Sequence, residues 1–330
     1  MRTLVTGSAG MIGSHLAERL LELGHDVIGI DNLSVGRLSN MSKVRRHKNF
    51  KFFSTDIAKM KRARHLFAGI DWVFHLAARA DIVPSITDPS EYHRSNVDGT
   101  LAVLEACRES KIKKFVYAAS SSCYGIPEIY PTPESAPCQP MYPYALTKYV
   151  AEQYVMHWGQ VYGLPVISLR LFNVFGPRSR TNGTYGAVFG VFMSQLAHEM
   201  PLTIVGGGHQ GRDFTFVDDV VEAFITAAES STAQQIFNVG TGTSPTINQL
   251  VSILKPKDTV TVPRRPGEPN LTCADVTKIR NILGWDARWK FQDAVEKTLE
   301  DLPRFKKAPL WTPAKINVAT KDWFKYLGAQ

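Results

Sequence analysis

Tyr144 and Lys148, four residues apart, have the spacing of a general base and the cation that tunes it. Side chains at that separation share one face of a helix. An ammonium beside a phenol favours the phenolate, so we expect Lys148 to lower the pKa of Tyr144 from about 10 toward neutrality. Such a phenolate can take a proton from a substrate hydroxyl. The spacing is also that of an ordinary solvated helix face, so the elements that position these residues, and the serines at 120–122, decide between the two interpretations.

A glycine-rich turn near the N-terminus is the second feature with a chemical use. The apolar run Arg2 to Thr6 predicts a buried strand, and an amphipathic helix is predicted from Ser14 to Leu23. Between them stands Gly7-Ser8-Ala9-Gly10-Met11-Ile12-Gly13. Glycines there allow a tight turn and let the backbone approach a pyrophosphate at the helix N-terminus. A purely structural turn is the alternative.

The predicted second strand, Asp26 to Ile30, ends at Asp31. A carboxylate at that position can accept both ribose hydroxyls of an adenosine. It would repel a 2′-phosphate, which favours NAD over NADP. A third strand is predicted over 52–57 and a fourth over 72–78, and we interpret His75 within the fourth as a core histidine.

Helices and strands continue to alternate along the first half of the chain. A helix is predicted over Asp98 to Lys111, a fifth strand over 114–119, a helix from Tyr144 to Tyr162 and a sixth strand over 165–170. Alternation predicts an α/β fold with a Rossmann-type, doubly wound parallel sheet, whose ligand sites lie at the carboxyl ends of the strands. The residues of interest that fall at such ends are Gly7, Asp31, Asp56, Ala77 and Ser120.

Composition narrows the class of protein. The 330 residues suit one large domain or two unequal ones, and the net charge of +8 suits an anionic ligand such as a nucleotide diphosphate. The basic residues are scattered, which argues against nucleic acid. Four cysteines without paired spacing indicate free thiols in a reducing compartment, with neither disulfides nor a metal site. No apolar run reaches membrane-spanning length, so we expect a cytoplasmic protein with no membrane contact.

Together these residues resemble the extended short-chain dehydrogenase/reductase superfamily and, within it, nucleotide-sugar 4-epimerases. The resemblance runs from Leu4 to about Trp285. It rests on Thr6-Gly7-x-x-Gly10-x-x-Gly13, Asp31-Asn32-Leu33, Asp56-Ile57, His75-Leu76-Ala77-Ala78, Asn96-Val97-x-Gly99-Thr100, Ser120 to Gly125, Tyr142-Pro143-Tyr144-x-x-x-Lys148, Arg170-x-Phe172-Asn173-Val174-x-Gly176-Pro177, Arg212-Asp213-Phe214 and Arg265-Pro266-Gly267-Glu268.

The resemblance implies a catalytic set of Ser120, Tyr144 and Lys148 and a bound NAD. In the implied reaction Tyr144 removes the proton of the sugar 4-hydroxyl while the C4 hydride passes to NAD, and the hydride returns to the opposite face of the sugar. The residues implied to hold NAD are Gly7, Gly10, Met11, Ile12, Gly13, Asp31, Asn32, Asp56, Ile57, Leu76, Ala77, Ala78, Asn96, Tyr144, Lys148 and Phe172.

The resemblance also implies a UDP-sugar site and a homodimer, the latter packed through the helices near 98–110 and after Tyr144. Arg212 and Arg265 would clamp the diphosphate, and Glu268 would accept the uridine ribose hydroxyls. The full set implied to contact substrate is Ser120, Ser121, Ser122, Tyr144, Asn173, Ala187, Val188, Thr203, Val205, Arg212, Arg265, Glu268 and Thr272. Residues 1–170, with returning segments near 210–240, would bind NAD, and 171–209 with 241–330 would form a smaller, mixed α/β substrate domain.

Thr272 stands where, in such relatives, a tyrosine restricts the site to plain hexoses and a small residue admits a 2-acetamido group. The sequence therefore predicts interconversion of UDP-GlcNAc and UDP-GalNAc, with UDP-Glc and UDP-Gal as additional candidates. The polar stretch from Ser179 to Thr184 could line the sugar pocket, and 182–188 resembles bacterial epimerases of N-acetylhexosamines.

Three alternatives stay open. A UDP-glucuronate 4-epimerase is one, because Arg79, Arg178 and Arg180 could receive a carboxylate and Asp81 departs from the usual neutral residue. A nucleotide-sugar 4,6-dehydratase is the second, although such relatives carry Thr-Asp-Glu where this chain has the serines 120–122. The third is a non-catalytic protein that senses NAD. The basic, aromatic segment 304–330 is expected to pack back on the fold, without an assigned function.

Overall fold

The computed structural model of the chain describes residues 1–181 and 188–328, without the side chains of residues 61 and 62. Its strands are β1 (Arg2–Thr6), β2 (Asp26–Asp31), β3 (Phe50–Ser54), β4 (Trp72–His75), β5 (Lys114–Ser120), β6 (Val166–Leu171), β7 (Val174–Phe175), β8 (Leu202–Val205), β9 (Thr215–Phe216), β10 (Gln235–Val239) and β11 (Thr259–Val262). Seven of them form a parallel sheet in the order β10-β6-β5-β4-β1-β2-β3.

The helices are α1 (Met11–Glu22), α2 (Ile82–Thr87), α3 (Pro89–His93), α4 (Gly99–Ser110), α5 (Pro143–Tyr162), α6 (Val188–Ala197), α7 (Val217–Glu229), α8 (Ile247–Leu254), α9 (Thr277–Leu283), α10 (Phe291–Leu299), α11 (Pro313–Ala319) and α12 (Lys321–Leu327). Buried side chains of α1, α7 and α9 form a core on one face of the sheet, and those of α4 and α5 form a core on the other. Helices on both faces confirm the predicted doubly wound fold.

The register of the central strands brings their carboxyl ends to one edge. Thr6 of β1 lies opposite Ile30 of β2 and His75 of β4, and His75 lies opposite Tyr117 of β5. The segments that follow these strands therefore emerge side by side, as the sequence predicted. Such strands are buried on both faces, which explains why β5 is apolar along nearly its whole length.

Helix α1 begins at Met11, three residues before the predicted Ser14. Gly10 is its extended N-cap, and Gly13 lies within its first turn. A Cβ on Gly13 would come within 2.2 Å of the Gly7 carbonyl oxygen. Gly13, which the sequence predicts to be a turn residue, thus allows α1 to start directly after the turn.

A third core holds the elements outside the main sheet. Strands β7 and β9, which pair with each other, contribute buried side chains to it. Strand β8 does so as well, and β11 pairs with β8. Helices α6, α8, α10, α11 and α12 bury side chains in it, including Ile316, Trp323 and Leu327. The segment after residue 304 therefore packs back on the fold, as expected. Over the described ranges, no helix has both the length and the apolar character needed to cross a membrane.

Candidate active site

The predicted catalytic hydroxyls meet where β5 ends and α5 begins. Ser120 is the last residue of β5, and a helical turn over Ser121–Tyr124 follows it. The hydroxyl oxygens of Ser120 and Ser122 lie 2.8 Å apart. Ser120 lies near enough to the Tyr144 hydroxyl to favour its phenolate, and Ser122 acts in the same way on Tyr142. Two serines and two tyrosines are therefore grouped at this point.

The protonation of Tyr144 and Lys148 differs from the expectation. Burial raises the pKa of Tyr144, and the nearby Ser120 hydroxyl only partly opposes this. Burial also lowers the pKa of Lys148 to about 7, against the raising effect of Glu152. The Lys148 ammonium nitrogen lies 4.3 Å from the centre of the Tyr117 ring. The predicted lowering of the Tyr144 pKa is thus wrong for this structure, because loss of hydration favours the neutral form of both groups.

His75 is a core histidine, as predicted. Its Nδ1 lies 2.7 Å from the Thr6 hydroxyl and its Nε2 lies 2.9 Å from the Thr100 hydroxyl. Burial lowers the pKa of His75 to about 3, so the ring is neutral. The Thr6 hydroxyl also accepts the N–H groups of Leu76 and Ala77 at 3.1 and 3.2 Å. The histidine therefore fixes the strand ends beside the glycine turn.

The glycine turn has the shape that a dinucleotide requires. Gly7 has a φ of +72°, and a Cβ there would come within 2.8 Å of the Ala77 backbone nitrogen. Asp31, at the end of β2, accepts the N–H of Ala9 at 3.0 Å and that of Leu33 at 2.7 Å. Burial raises the Asp31 pKa, and those two hydrogen bonds oppose the rise. A bare backbone at a helix N-terminus, with an acid at the next strand end, fits NAD.

Other predicted cofactor residues lie on the same edge. Asn96 is buried and joins the segment after β4 to α5, since its amide donates to the Arg79 carbonyl and the Thr147 hydroxyl, each at 3.0 Å. Phe172 is buried beside Tyr124. The rest lie at the start of α1 or on the segments after β2, β3 and β4: Gly10, Met11, Ile12, Asn32, Asp56, Ile57, Leu76, Ala77 and Ala78.

A second group of predicted residues surrounds a cavity of about 210 Å³. Arg212 donates to Glu268 Oε1 at 3.2 Å, and a nitrogen of Arg265 lies 4.0 Å from the same oxygen. Glu268 thus pairs with both predicted diphosphate clamps. The residues lining the cavity are Val205, Gly206, His209, Gln210, Arg212, Arg264, Glu268, Pro269 and Asn270. Of these, His209, Gln210, Arg264 and Asn270 carry no signal in the sequence beyond their closeness to Arg212 and Arg265.

Thr203 does not join this group. Its hydroxyl is buried and accepts the amide of Gln195 at 2.5 Å. Val188 opens α6 and packs on the third core. Ala187 and the rest of 182–187 lie outside the described residues.

Thr272 is held between two partners. Its hydroxyl donates to Asn173 Oδ1 at 2.8 Å and accepts the N–H of Asp213 at 3.0 Å. Asp213 is fully buried, and its carboxylate accepts four hydrogen bonds, from Thr241, Gly242 and Ala274. Sequence reasoning missed this role of Asp213, because its partners lie 28 to 61 residues away.

The three arginines that could receive a carboxylate each pair with a carboxylate of the chain itself. Arg79 lies 2.9 Å from Glu91, while Arg178 pairs with Glu18 and Arg180 with Asp81. Their charges are therefore already compensated.

Comparison with known proteins identifies the family. Residues 3–240 match the NAD dependent epimerase/dehydratase family. The chain is 37% identical over 308 residues to a UDP-glucose 4-epimerase of Mycolicibacterium smegmatis, covering 91% of this chain and 98% of the relative. NAD dependence and the resemblance to epimerases are thereby confirmed.

Two solved structures are similar along nearly their whole length. One is a UDP-N-acetylglucosamine 4-epimerase from Methanobrevibacter ruminantium in complex with UDP-N-acetylmuramic acid, with 33% identity, a TM-score of 0.86 and coverage of 91% of this chain and 97% of that one. The other is a UDP-glucuronic acid 4-epimerase from Bacillus cereus with UDP-glucuronic acid and NAD, with 30% identity, a TM-score of 0.85 and coverage of 92% and 99%. This chain therefore belongs to the NAD dependent epimerase/dehydratase family, among its nucleotide-sugar 4-epimerases.

Proposed function

We propose that the protein interconverts UDP-N-acetylglucosamine and UDP-N-acetylgalactosamine, with UDP-glucose and UDP-galactose as further substrates. The observation that carries this choice is Thr272. It is a small side chain, and its hydroxyl is bonded to the Asn173 amide oxygen. The resemblance implies that a small side chain at this position admits a 2-acetamido group, which a tyrosine ring would exclude.

The residues that would hold NAD are the glycine turn of Gly7, Gly10 and Gly13, and Asp31. When bound, NAD supplies a reversible acceptor for the hydride at C4 of the sugar. The chain supplies the proton chemistry. Lys148, with a pKa of about 7, is partly protonated at neutral pH, and its ammonium form would favour the Tyr144 phenolate. That phenolate would remove the proton of the sugar 4-hydroxyl.

Ser120 and the arginines would position the substrate. The Ser120 hydroxyl bonds Ser122 and lies near the Tyr144 hydroxyl, so it can orient a sugar oxygen beside the phenol. Arg212 and Arg265 would take the diphosphate, whose oxygens would replace Glu268 as partners of the two guanidinium groups. Glu268 would then be released to accept ribose hydroxyls. Holding both ends of the substrate places C4 at the catalytic group.

The test is to incubate the purified protein with UDP-GlcNAc, UDP-Glc and UDP-GlcA separately, with and without added NAD, and to identify products by NMR. We expect the 4-epimer of UDP-GlcNAc, and no product from Tyr144→Phe. Turnover of UDP-GlcA alone would replace the proposal with a glucuronate epimerase, despite the paired arginines. A 4-keto-6-deoxy product would make the enzyme a dehydratase.

We also propose a homodimer that packs through α4 and α5. Helix α5 exposes four large side chains, which would be covered in such a dimer: Leu146, Tyr154, Val161 and Tyr162. Sedimentation equilibrium at several protein concentrations tests this state. The four free cysteine thiols support a reducing, cytoplasmic location. The proposed cofactor unit also includes α9, which packs on the main sheet although the sequence prediction assigned it to the substrate unit.

A further inference from the structure

Trp323 of α12 lies far from the catalytic residues in the sequence but contacts the substrate side of the site. It is 3% exposed, although its neighbour Phe324 is 38% exposed. The indole N–H donates to the carbonyl oxygen of Pro266 at 2.7 Å. Pro266 belongs to the loop over residues 264–270, which carries Arg265 and Glu268. The C-terminal helix is thus hydrogen-bonded to the loop that holds a proposed diphosphate clamp.

The ring of Trp323 makes two further contacts. The guanidinium carbon of Arg265 lies 5.5 Å from the centre of the indole. The Tyr142 ring lies 6.2 Å from the indole, centre to centre, at 44°. Tyr142 is in turn nearly parallel to Tyr144, with ring centres 6.4 Å apart and an angle of 9° between the planes. One buried side chain therefore contacts the clamp and the neighbour of the catalytic tyrosine.

The contact with Trp323 fixes the orientation of the Arg265 side chain. The Arg265 side chain is 14% exposed, and a guanidinium over an indole face in such surroundings is attracted by the ring and held in one orientation. Gly267, next to Pro266, has a φ of +68°, which is not the φ of a helix or a strand, so regular secondary structure does not hold this part of the loop. Trp323 therefore holds the loop in place, through its hydrogen bond to Pro266 and its contact with Arg265.

We propose that Trp323 is a positioning residue of the nucleotide-sugar site. It holds the Arg265 guanidinium in the orientation that receives the diphosphate, and it supports the Tyr142 and Tyr144 rings from the same place. The inference rests on the proposed function, since it assigns Arg265 to a UDP group. It also gives the C-terminal segment a role in substrate binding.

The experiment is a double-mutant cycle on UDP affinity, measured by titration calorimetry on the full-length protein. The variants are Trp323→Ala, Arg265→Ala and the two combined. We expect Trp323→Ala to weaken UDP binding about fivefold, which is within the range of a partly buried cation–π contact. In the Arg265→Ala background the same change should weaken binding less than twofold, because the group that Trp323 orients is gone.

Two further variants separate positioning from a general loss of structure. Trp323→Phe keeps an aromatic face but removes the N–H donor, so it should recover part of the lost affinity. Phe324→Ala changes the adjacent exposed ring and should leave UDP affinity within twofold of wild type. Thermal unfolding of each variant shows whether the third core stays folded.

The outcomes distinguish this inference from the proposed function. Equal weakening by Trp323→Ala in both Arg265 backgrounds, or no weakening in either, overturns the inference. Coupled loss of UDP affinity supports it even if none of the three UDP-sugars is epimerised, in which case only the proposed function fails. A wild-type protein that does not bind UDP overturns both.

Discussion

The ion pair between Glu152 and Arg170 should be the most sensitive polar contact beside the proposed catalytic residues. Glu152 lies on α5, one turn after Lys148, and Arg170 lies on β6. Their side chains are 1% and 4% exposed, and the shortest nitrogen–oxygen distance is 2.6 Å. Glu152 also accepts the Ser168 hydroxyl at 2.8 Å. We consider the isosteric change Glu152→Gln, which removes the charge and keeps the volume.

The loss of stability depends on the hydrogen bonds that Arg170 would keep in the variant. Its guanidinium donates to the Tyr124 hydroxyl at 2.9 Å and to the Glu134 carbonyl oxygen at 3.2 Å. Removing one partner of a buried pair typically costs about 3–5 kcal/mol, because the other charge stays buried without compensation. The two remaining acceptors and the glutamine oxygen reduce this cost. We therefore expect Glu152→Gln to lower the free energy of unfolding by about 3 kcal/mol.

Urea unfolding monitored by circular dichroism measures this difference. The matched control is Glu222→Gln, which breaks the ion pair with Arg19 at 2.8 Å, between side chains that are 43% and 40% exposed. An exposed pair of this kind contributes at most about 1 kcal/mol. The double variant Glu152→Met/Arg170→Met should lose less stability than Glu152→Gln alone, since no charge is then left buried.

The reasoning would be refuted if Glu152→Gln cost no more than the surface control. A double variant less stable than Glu152→Gln would refute it as well, because packing rather than charge would then decide the cost. The pKa of Lys148 provides a second measurement of the loss of the Glu152 charge. Glu152 raises the pKa of Lys148, so removing its charge should move that pKa below 7.

Three further predictions follow from the site. The Lys148 pKa of about 7 lies below its ordinary value of 10.5, so the unfolded chain binds one proton more between these values and stability rises with pH across this window. From pH 7.5 to 9.5, wild type should therefore gain about 2 kcal/mol of unfolding free energy more than Lys148→Met in urea titrations, and equal gains would contradict this. Gly13→Ala places a Cβ 2.2 Å from the Gly7 carbonyl and should weaken NAD binding in a fluorescence titration, whereas Gly190→Ala, 3.7 Å from its nearest neighbour, should not. Thr272→Tyr should abolish NMR-detected turnover of UDP-GlcNAc and spare UDP-Glc, while Thr272→Ser keeps both, and equal loss of the two sugars in Thr272→Tyr would count against the size argument.

The sheet could be predicted because its signals are local. Strand-length apolar runs that alternate with helices specify a parallel sheet, and this alone places Gly7, Asp31 and Ser120 on one edge. The start of α1 was predicted three residues late for the same reason. Gly13 reads as a turn residue until the close Gly7 carbonyl shows why the helix needs it.

Protonation could not be predicted in this way. The four-residue spacing of Tyr144 and Lys148 gives a shared helix face, but a pKa depends on how much water each group retains. In the structure burial is the largest cause of both shifts, and it acts against the charge on each group. The roles of Asp213 and Trp323 were missed for a related reason. The partners of Asp213 lie 28 to 61 residues away in the sequence, and Pro266 lies 57 residues from Trp323. Local sequence patterns do not predict contacts over such separations.

Thr272, the residue proposed to set sugar selectivity, also links segments that lie far apart in the sequence. Its hydroxyl joins Asn173, two residues after the end of β6, to the backbone of Asp213. Asp213 in turn fixes the turn after β10 through Thr241 and Gly242. A larger residue at 272 would fill the proposed sugar space and also break this link. The serine variant is the informative control for that reason: it keeps the bonds and changes only a methyl group, so any loss it causes reports on packing rather than on the connection.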